Sequence, residues 1–193
     1  VLTEPNYFLG SIEHLRAVKA AVKIPVLRKD FIFDPWQIEE SAAYGADVVL
    51  LIVAALKPSV LRSLYEETRR LGMEALVEAH TVGELRQALD LENAIIGINC
   101  RNLSSLKTNL ATARRIAPMI PENRQAVAES GIRSNTDIAD LATRGYSGFL
   151  VGHALLQSGS PGTRLAQLLK ISDSCPGAAP CSAGKRPGGA IRG

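Results

Sequence analysis

The sequence predicts an α/β protein built as a closed (β/α) barrel, and three observations carry that expectation. Helix-period segments alternate with short runs of apolar and β-branched residues, separated by polar or glycine turns and without a hairpin signal. The runs VVLLIV, AIIGI and GFLV are nearly continuous in apolar character, as strands are when helices cover a parallel sheet. Finally, Lys29, Glu78, Asn99 and Glu129 each fall at the C-terminal end of a different expected strand. An open doubly wound sheet gathers its ligand groups at one switch point, whereas a barrel turns every strand end toward one mouth. No G-x-G-x-x-G follows the first strand, so the dinucleotide fingerprint is missing.

Strands are expected at 25–28, 48–53, 74–78, 95–99, 125–129 and 148–151, and helices at 11–22, 35–44, 58–71, 81–89, 109–117, 134–144 and 161–170. The helix starts support these assignments. Asp34 precedes Pro35 with Gln37 three residues on, and Thr81 has Glu84 three residues on, both shaped like capping boxes. Ser134 with Asp137 is a weaker version, and Ser160 precedes Pro161. A barrel of this type needs eight strands and roughly 250 residues, so about six of its eight units are visible. The opening VLTEP reads as the end of a further strand. Residues 1–170 are expected to form the partial barrel, and the Gly-, Pro- and Ala-rich stretch 171–193 a disordered tail.

Bulk composition excludes several classes. The 193 residues are 46% hydrophobic and 21% charged, ordinary for a globular chain with one sizeable core. A net charge of +3, with no basic run interleaved with aromatics, predicts no nucleic-acid partner. No apolar stretch reaches the ~18 residues of a membrane span. Cys100, Cys175 and Cys181 are too sparse for a disulfide framework and have no metal-ligand spacing, which predicts a reducing, cytoplasmic setting and no metal.

The strand ends supply the candidate chemistry. Lys29 sits in PVLRKDFIFDP, flanked by Phe31 and Phe33. It is either a solvated strand end or an ammonium that aromatic surface desolvates and makes a readier proton donor. Glu78 in EALVEAH is either a salt-bridge partner or the carboxylate opposed to Lys29 that proton transfer requires. Asn99 can equally satisfy loop backbone. Gly131 after Glu129, and Gly152 after the last strand, place glycine turns where such barrels bind phosphate, with free amides expected from the helix near Ser134. Either glycine alone can simply close a turn. His14 and His80 read as loop or helix-start residues without a role.

Together VLTE, YFLGS, PVLRKDFIFDPWQI, GADVVLLIVAAL, LVEAH, IGINCRNL, ESGI and LVGHALL, in that order, resemble the indole-3-glycerol phosphate synthase family of tryptophan biosynthesis from Val1 to about Lys170. The resemblance implies a (β/α)8 TIM-type barrel. It also implies ring closure, decarboxylation and dehydration of 1-(2-carboxyphenylamino)-1-deoxyribulose 5-phosphate without a cofactor or metal. On that basis Lys29 protonates the substrate carbonyl oxygen, and Glu78 serves as acid and base in the dehydration. Asn99 and Glu129 hold the ribulose hydroxyls and the ring. Ser130, Gly131, Gly152 and His153 occupy the phosphate cradle. Phe8, Phe31 and Leu50 form the slot for the anthranilate ring, and Arg101 orients Asn99 or its loop.

The resemblance also has departures. Asn102 stands where family members usually carry Asp, and His153 where they often carry Ser or Glu. The family's first strand supplies a glutamate and a second lysine, which this sequence does not contain. The expectation is a chain with little synthase activity by itself, and association through exposed barrel edges. A sibling phosphate-binding barrel such as phosphoribosylanthranilate isomerase fits less well, because that chemistry wants a cysteine and an aspartate at the strand ends. A non-catalytic barrel fragment is the remaining alternative.

Overall fold

The computed structural model describes residues 1–102 and 105–169, so the expected tail lies outside the described residues. Its strands form one parallel sheet in chain order. They are β1 (Leu27–Arg28), β2 (Val48–Ile52), β3 (Glu74–Ala79), β4 (Ile95–Asn99), β5 (Ala126–Glu129) and β6 (Gly148–Leu150). Ahead of β1 runs α2 (Ile12–Ala21), and between the strands run α3 (Pro35–Ala43), α4 (Pro58–Arg70), α5 (Val82–Leu89), α6 (Ala111–Ile116) and α7 (Asn135–Ala142). A four-residue α1 (Pro5–Phe8) precedes them, and α8 (His153–Leu156) and α9 (Pro161–Leu169) follow. Residues 1–3 add a further parallel segment beside β1. The amide of Lys29 donates to Val1 O at 2.8 Å and that of Thr3 to Lys29 O at 3.2 Å, with Leu2 bridged to Lys29.

Side-chain alternation divides the sheet into two faces. Val49, Leu51, Ala75, Val77, Ile96, Ile98, Ala126 and Ala128 pack outward into one core with Leu15, Ile38, Leu61, Leu64, Leu85, Ile116 and Leu141 of the helices. The opposite parity faces inward. Leu50 pairs in register with Leu76, and Glu78 with Gly97. Along the row Glu78, Gly97, Val127, Gly148, bulky side chains alternate with glycine. A barrel interior requires this, because each of its layers is filled from alternate strands.

Curvature can be read from one distance. β1 and β5 are four strand spacings apart, roughly 19 Å along a flat sheet. Yet the ammonium of Lys29, just past β1, lies 3.5 Å from the carboxylate of Glu129 at the end of β5. Only a strongly curled sheet allows that.

The helix starts obey their capping chemistry. Asp34 accepts from the Trp36 amide at 2.8 Å while Gln37 accepts from the Asp34 amide at 3.1 Å, completing the expected box. Ser134 and Asp137 form a full box too. The short α1 was not foreseen; it is held by Glu4, whose carboxylate accepts from the amides of Asn6, Tyr7 and Phe8.

Arg28 and Lys29, adjacent in sequence, are sent by alternation to opposite faces. Arg28 is buried beneath α3. Its guanidinium donates to Thr3 Oγ1, Gln37 O, Ser41 Oγ and Asp30, and it pairs with Glu40 at 2.8 Å. This network fastens residues 1–3, β1 and α3 together. Arg28→Ala leaves the Asp30 and Glu40 carboxylates enclosed without their cation. It should cost about 3–5 kcal/mol of stability in urea unfolding, and an unchanged midpoint would refute the bracing role.

Candidate active site

The inward face of the sheet gathers an ammonium and two carboxyls. Lys29 Nζ lies 3.5 Å from Glu78 Oε2 and 3.5 Å from Glu129 Oε2. The lysine side chain is 27% exposed, whereas those of Glu78 and Glu129 are 3% and 0% exposed. Three elements far apart in sequence therefore contribute to one cluster at the C-terminal ends of their strands. Glu78 Oε2 and Glu129 Oε1 are buried without a hydrogen-bond donor. Burial and the adjoining Glu78 carboxylate push the Glu129 carboxyl up to about 8, against the opposing pull of Lys29. Near neutrality Glu129 thus keeps a proton.

Room for Glu129 comes from Gly97. A Cβ at that position would stand 2.3 Å from Glu129 Oε1 and 3.2 Å from Leu76 Cδ1. The sequence reading passed over Gly97 in AIIGI, although a lone glycine inside a strand pattern is a signal of close approach.

The flanking aromatics act differently from expectation. Phe31 and Phe33 follow β1 in a loop and are 42% and 66% exposed. Phe31 stacks on Phe8 with ring centroids 6.0 Å apart, and Tyr7 meets it edge-on. The Lys29 ammonium is instead bracketed by carboxylates, while the rings pack on one another. Leu50 is buried on the inward face of β2.

Asn99 neighbours Glu129 in the sheet, and its Oδ1 accepts from the Arg101 amide at 2.9 Å, so it braces the loop that follows β4. The Arg101 guanidinium donates to Leu106 O at 2.9 Å, tying off the same loop. Ser130 and Gly131 both have left-handed backbones, φ 64° and 80°, and turn the chain sharply after Glu129. The register Glu129 with Leu150, and the Ser130 amide donating to Leu150 O, set this turn beside the one at Gly152 and the exposed His153. Three of the amides near Ser134 are taken up within the chain. Asp137 accepts those of Arg133 and Ser134, and Ser134 Oγ accepts that of Asp137. Among the described residues, no cluster of three His, Cys, Asp or Glu side chains could hold a metal ion.

His80 was also missed. Its Nε2 lies 3.3 Å from Glu78 Oε1 and its Nδ1 3.2 Å from Glu84 Oε2. Glu84 accepts from the His80 amide and from the Thr81 hydroxyl, so the expected Thr81–Glu84 capping box is only half formed.

Comparison with known proteins shows the family. The family model of indole-3-glycerol phosphate synthase matches residues 1–168. The chain belongs to the indole-3-glycerol phosphate synthase family. It is 48% identical over 169 residues to the indole-3-glycerol phosphate synthase of Kineococcus radiotolerans, covering 88% of this chain and 62% of that protein. With that of Mycolicibacterium gilvum it shares 49% over 178 residues, covering 91% and 65%. The chain therefore spans under two thirds of the length of these synthase relatives. In fold it is similar to 3-hexulose-6-phosphate synthase from Salmonella typhimurium, with TM-score 0.72 at 15% identity over 86% of this chain and 83% of that one. KGPDC from Streptococcus mutans in complex with D-R5P gives TM-score 0.67 at 13% identity over 86% and 81%. Those two likenesses concern the barrel alone.

The buried Glu129 makes stability depend on pH. Its folded value lies above the ordinary 4.5, so the native state binds more protons than the unfolded chain between about 4.5 and about 8. Stability must fall as pH rises through that window. Glu129→Gln removes this loss, so the variant should gain on the wild type between pH 5 and pH 8 by a few kcal/mol, at about 1.4 kcal/mol per unit. Urea midpoints at both pH values measure it; a pH-independent difference would show that Glu129 ionises normally.

Proposed function

We propose that this chain carries the central acid–base constellation of an indole-3-glycerol phosphate synthase, acting on 1-(2-carboxyphenylamino)-1-deoxyribulose 5-phosphate. The observation that supports it is the convergence of Lys29, Glu78 and Glu129 on the inward face of the curled sheet, with two carboxyl oxygens lacking donors. A reaction that adds a proton to a carbonyl oxygen and later expels that oxygen as water needs a donor and an acceptor within reach of one substrate.

In this reading the aryl carbon attacks the ribulose carbonyl carbon as the Lys29 ammonium gives its proton to the carbonyl oxygen. Carbon dioxide leaves from the ring carboxylate. Glu78 then acts as acid and base in the dehydration. Glu129, holding a proton, and Asn99 bind the sugar hydroxyls. The stacked Phe8 and Phe31, with Leu50, face the anthranilate ring, and the paired turns at Ser130–Gly131 and Gly152–His153 receive the phosphate. Arg101 supports that arrangement by holding Asn99 and its loop. The reaction makes the enzyme a carboxy-lyase.

Family resemblance assigns a further glutamate and lysine to a strand preceding these. General acid–base groups contribute about 10²–10⁴ each, so the chain by itself should turn over several orders of magnitude more slowly than a full-length relative. Residues 1–3 and β6 are the edges of the sheet among the described residues, and we expect association through them. Joined to the N-terminal segment of a full-length relative, the chain should form indole-3-glycerol phosphate. Lys29→Ala in that joined protein should abolish ring closure while substrate still binds. Unchanged product formation would remove Lys29 from the mechanism, and failure of the joined wild type to turn over would reject the synthase reading.

A further inference from the structure

Behind Glu78, on the side away from Lys29, lies a second set of titratable groups that the proposed chemistry does not use. The imidazole of His80 stands between two carboxylates, with Nε2 3.3 Å from Glu78 Oε1 and Nδ1 3.2 Å from Glu84 Oε2. Its side chain is 11% exposed, and Nε2 has no hydrogen-bond partner in this geometry. The ring is held firmly because Glu84 is itself fixed. Its Oε2 accepts the His80 amide at 2.8 Å and its Oε1 accepts the Thr81 hydroxyl at 2.9 Å. Such an anchor at Nδ1 selects the tautomer whose free nitrogen faces the other way. Here the other way is Glu78.

A polar cavity of about 500 Å³ opens on the same ring, lined by His80, Thr81, Glu84, Asn99, Arg101 and Lys107. His80 therefore touches solvent-accessible space on one side and a buried carboxyl on the other. The charged groups around it are Glu78 from β3, Glu84 from α5, and Arg101 and Lys107 from the loop after β4. Lys29 and Glu129 lie beyond Glu78.

We propose that Glu84, His80 and Glu78 form a carboxylate–imidazole–carboxyl triad in which His80 is the positioning residue and proton partner of Glu78. The inference rests on the synthase reading for its purpose but on this geometry for its existence. With Nδ1–H donated to Glu84, the Nε2 lone pair takes the proton that the Glu78 carboxylate has just accepted from substrate. The O–H bond breaks, an N–H bond forms, and the imidazolium sits between two carboxylates. Reversal returns the proton to Glu78. The logic is that of a serine–histidine–aspartate triad with a carboxyl in the place of the hydroxyl. It lets Glu78 switch between acid and base through the oxygen that does not face Lys29, and the cavity lets the ring exchange protons with water.

Long-range proton–nitrogen correlation spectra of the ¹⁵N-labelled chain read which ring nitrogen carries the proton, with the exposed His14 and His153 as internal references. At neutral to alkaline pH His80 should keep its proton on Nδ1. Glu78→Gln should shift the Nε2 resonance of His80 and leave those of His14 and His153 in place. Glu84→Ala should abolish the Nδ1 preference. A wild-type His80 protonated on Nε2 alone, or an Nε2 resonance indifferent to Glu78→Gln, would overturn the triad; the wild-type measurement needs no variant to fold. Because the spectra do not depend on turnover, an inactive chain leaves this result standing, and a failed triad leaves the role of Lys29 untouched.

Discussion

The sheet curls around one ammonium shared by two buried carboxyls. Lys29 reaches Glu78 and Glu129 at the same 3.5 Å, although their strands are separated by two and by four positions in the sheet order. Neither carboxyl could be left in that interior without compensation, since burying an unpaired carboxylate is far costlier than the net stability of a domain. Curl, inward parity and charge are thus one constraint. If the sheet flattened, the cation would be withdrawn from Glu129, and if the register slipped by one residue, Arg28 would replace Lys29 on the inside. The outward Arg28, gripped by Asp30 and by Glu40 and Ser41 of α3, resists that slip.

Much of this architecture was legible beforehand because its signals are local. Apolar runs flanked by caps located every strand of the sheet, and the polar residues ending four of those runs marked the mouth. What local patterns do not contain is the curl, so the meeting of Lys29 with Glu129 could be expected only from the barrel class. The first expected strand shrank to Leu27–Arg28, with Lys29 contributing a bridge to Leu2. α1 escaped notice because four residues carry no periodicity; its cap, Glu4, was the sole clue. His80 was misread for an instructive reason. Glu84 three residues after Thr81 has the spacing of a capping box, and that reading assigned the carboxylate to the helix start. In the fold it reaches back one residue further, to the His80 amide and ring.

Glycine placement separates construction from chemistry. Gly97 has no special backbone angle. Its value is the missing Cβ, which cedes volume to the Glu129 carboxyl at the one point where a side chain on β4 would collide with it. Gly131 differs, since its φ of 80° is a conformation other residues adopt only under strain. Ser130 before it bears such strain at φ 64°, immediately after Glu129. Strain held next to a buried acid is consistent with a turn selected for what it presents, because a relaxed alternative at Ser130 would re-aim the glycine turn after it.

The charge balance of the cluster decides its protonation. One ammonium can offset one carboxylate, so the second carboxyl is best kept neutral, and the deeper burial of Glu129 makes it the one that holds the proton. Any further cation brought to the mouth would change this sum. A second ammonium from a neighbouring strand would favour ionisation of Glu129, whereas a phosphate arriving nearby would reinforce the proton already there. The same cluster can therefore present a hydrogen-bond donor or an acceptor to a bound hydroxyl, according to what else stands at the mouth. The acid–base state is then not a fixed property of Glu78 and Glu129. It belongs to the whole ring of charges, to which His80 is coupled from behind and a preceding strand would be coupled from the side.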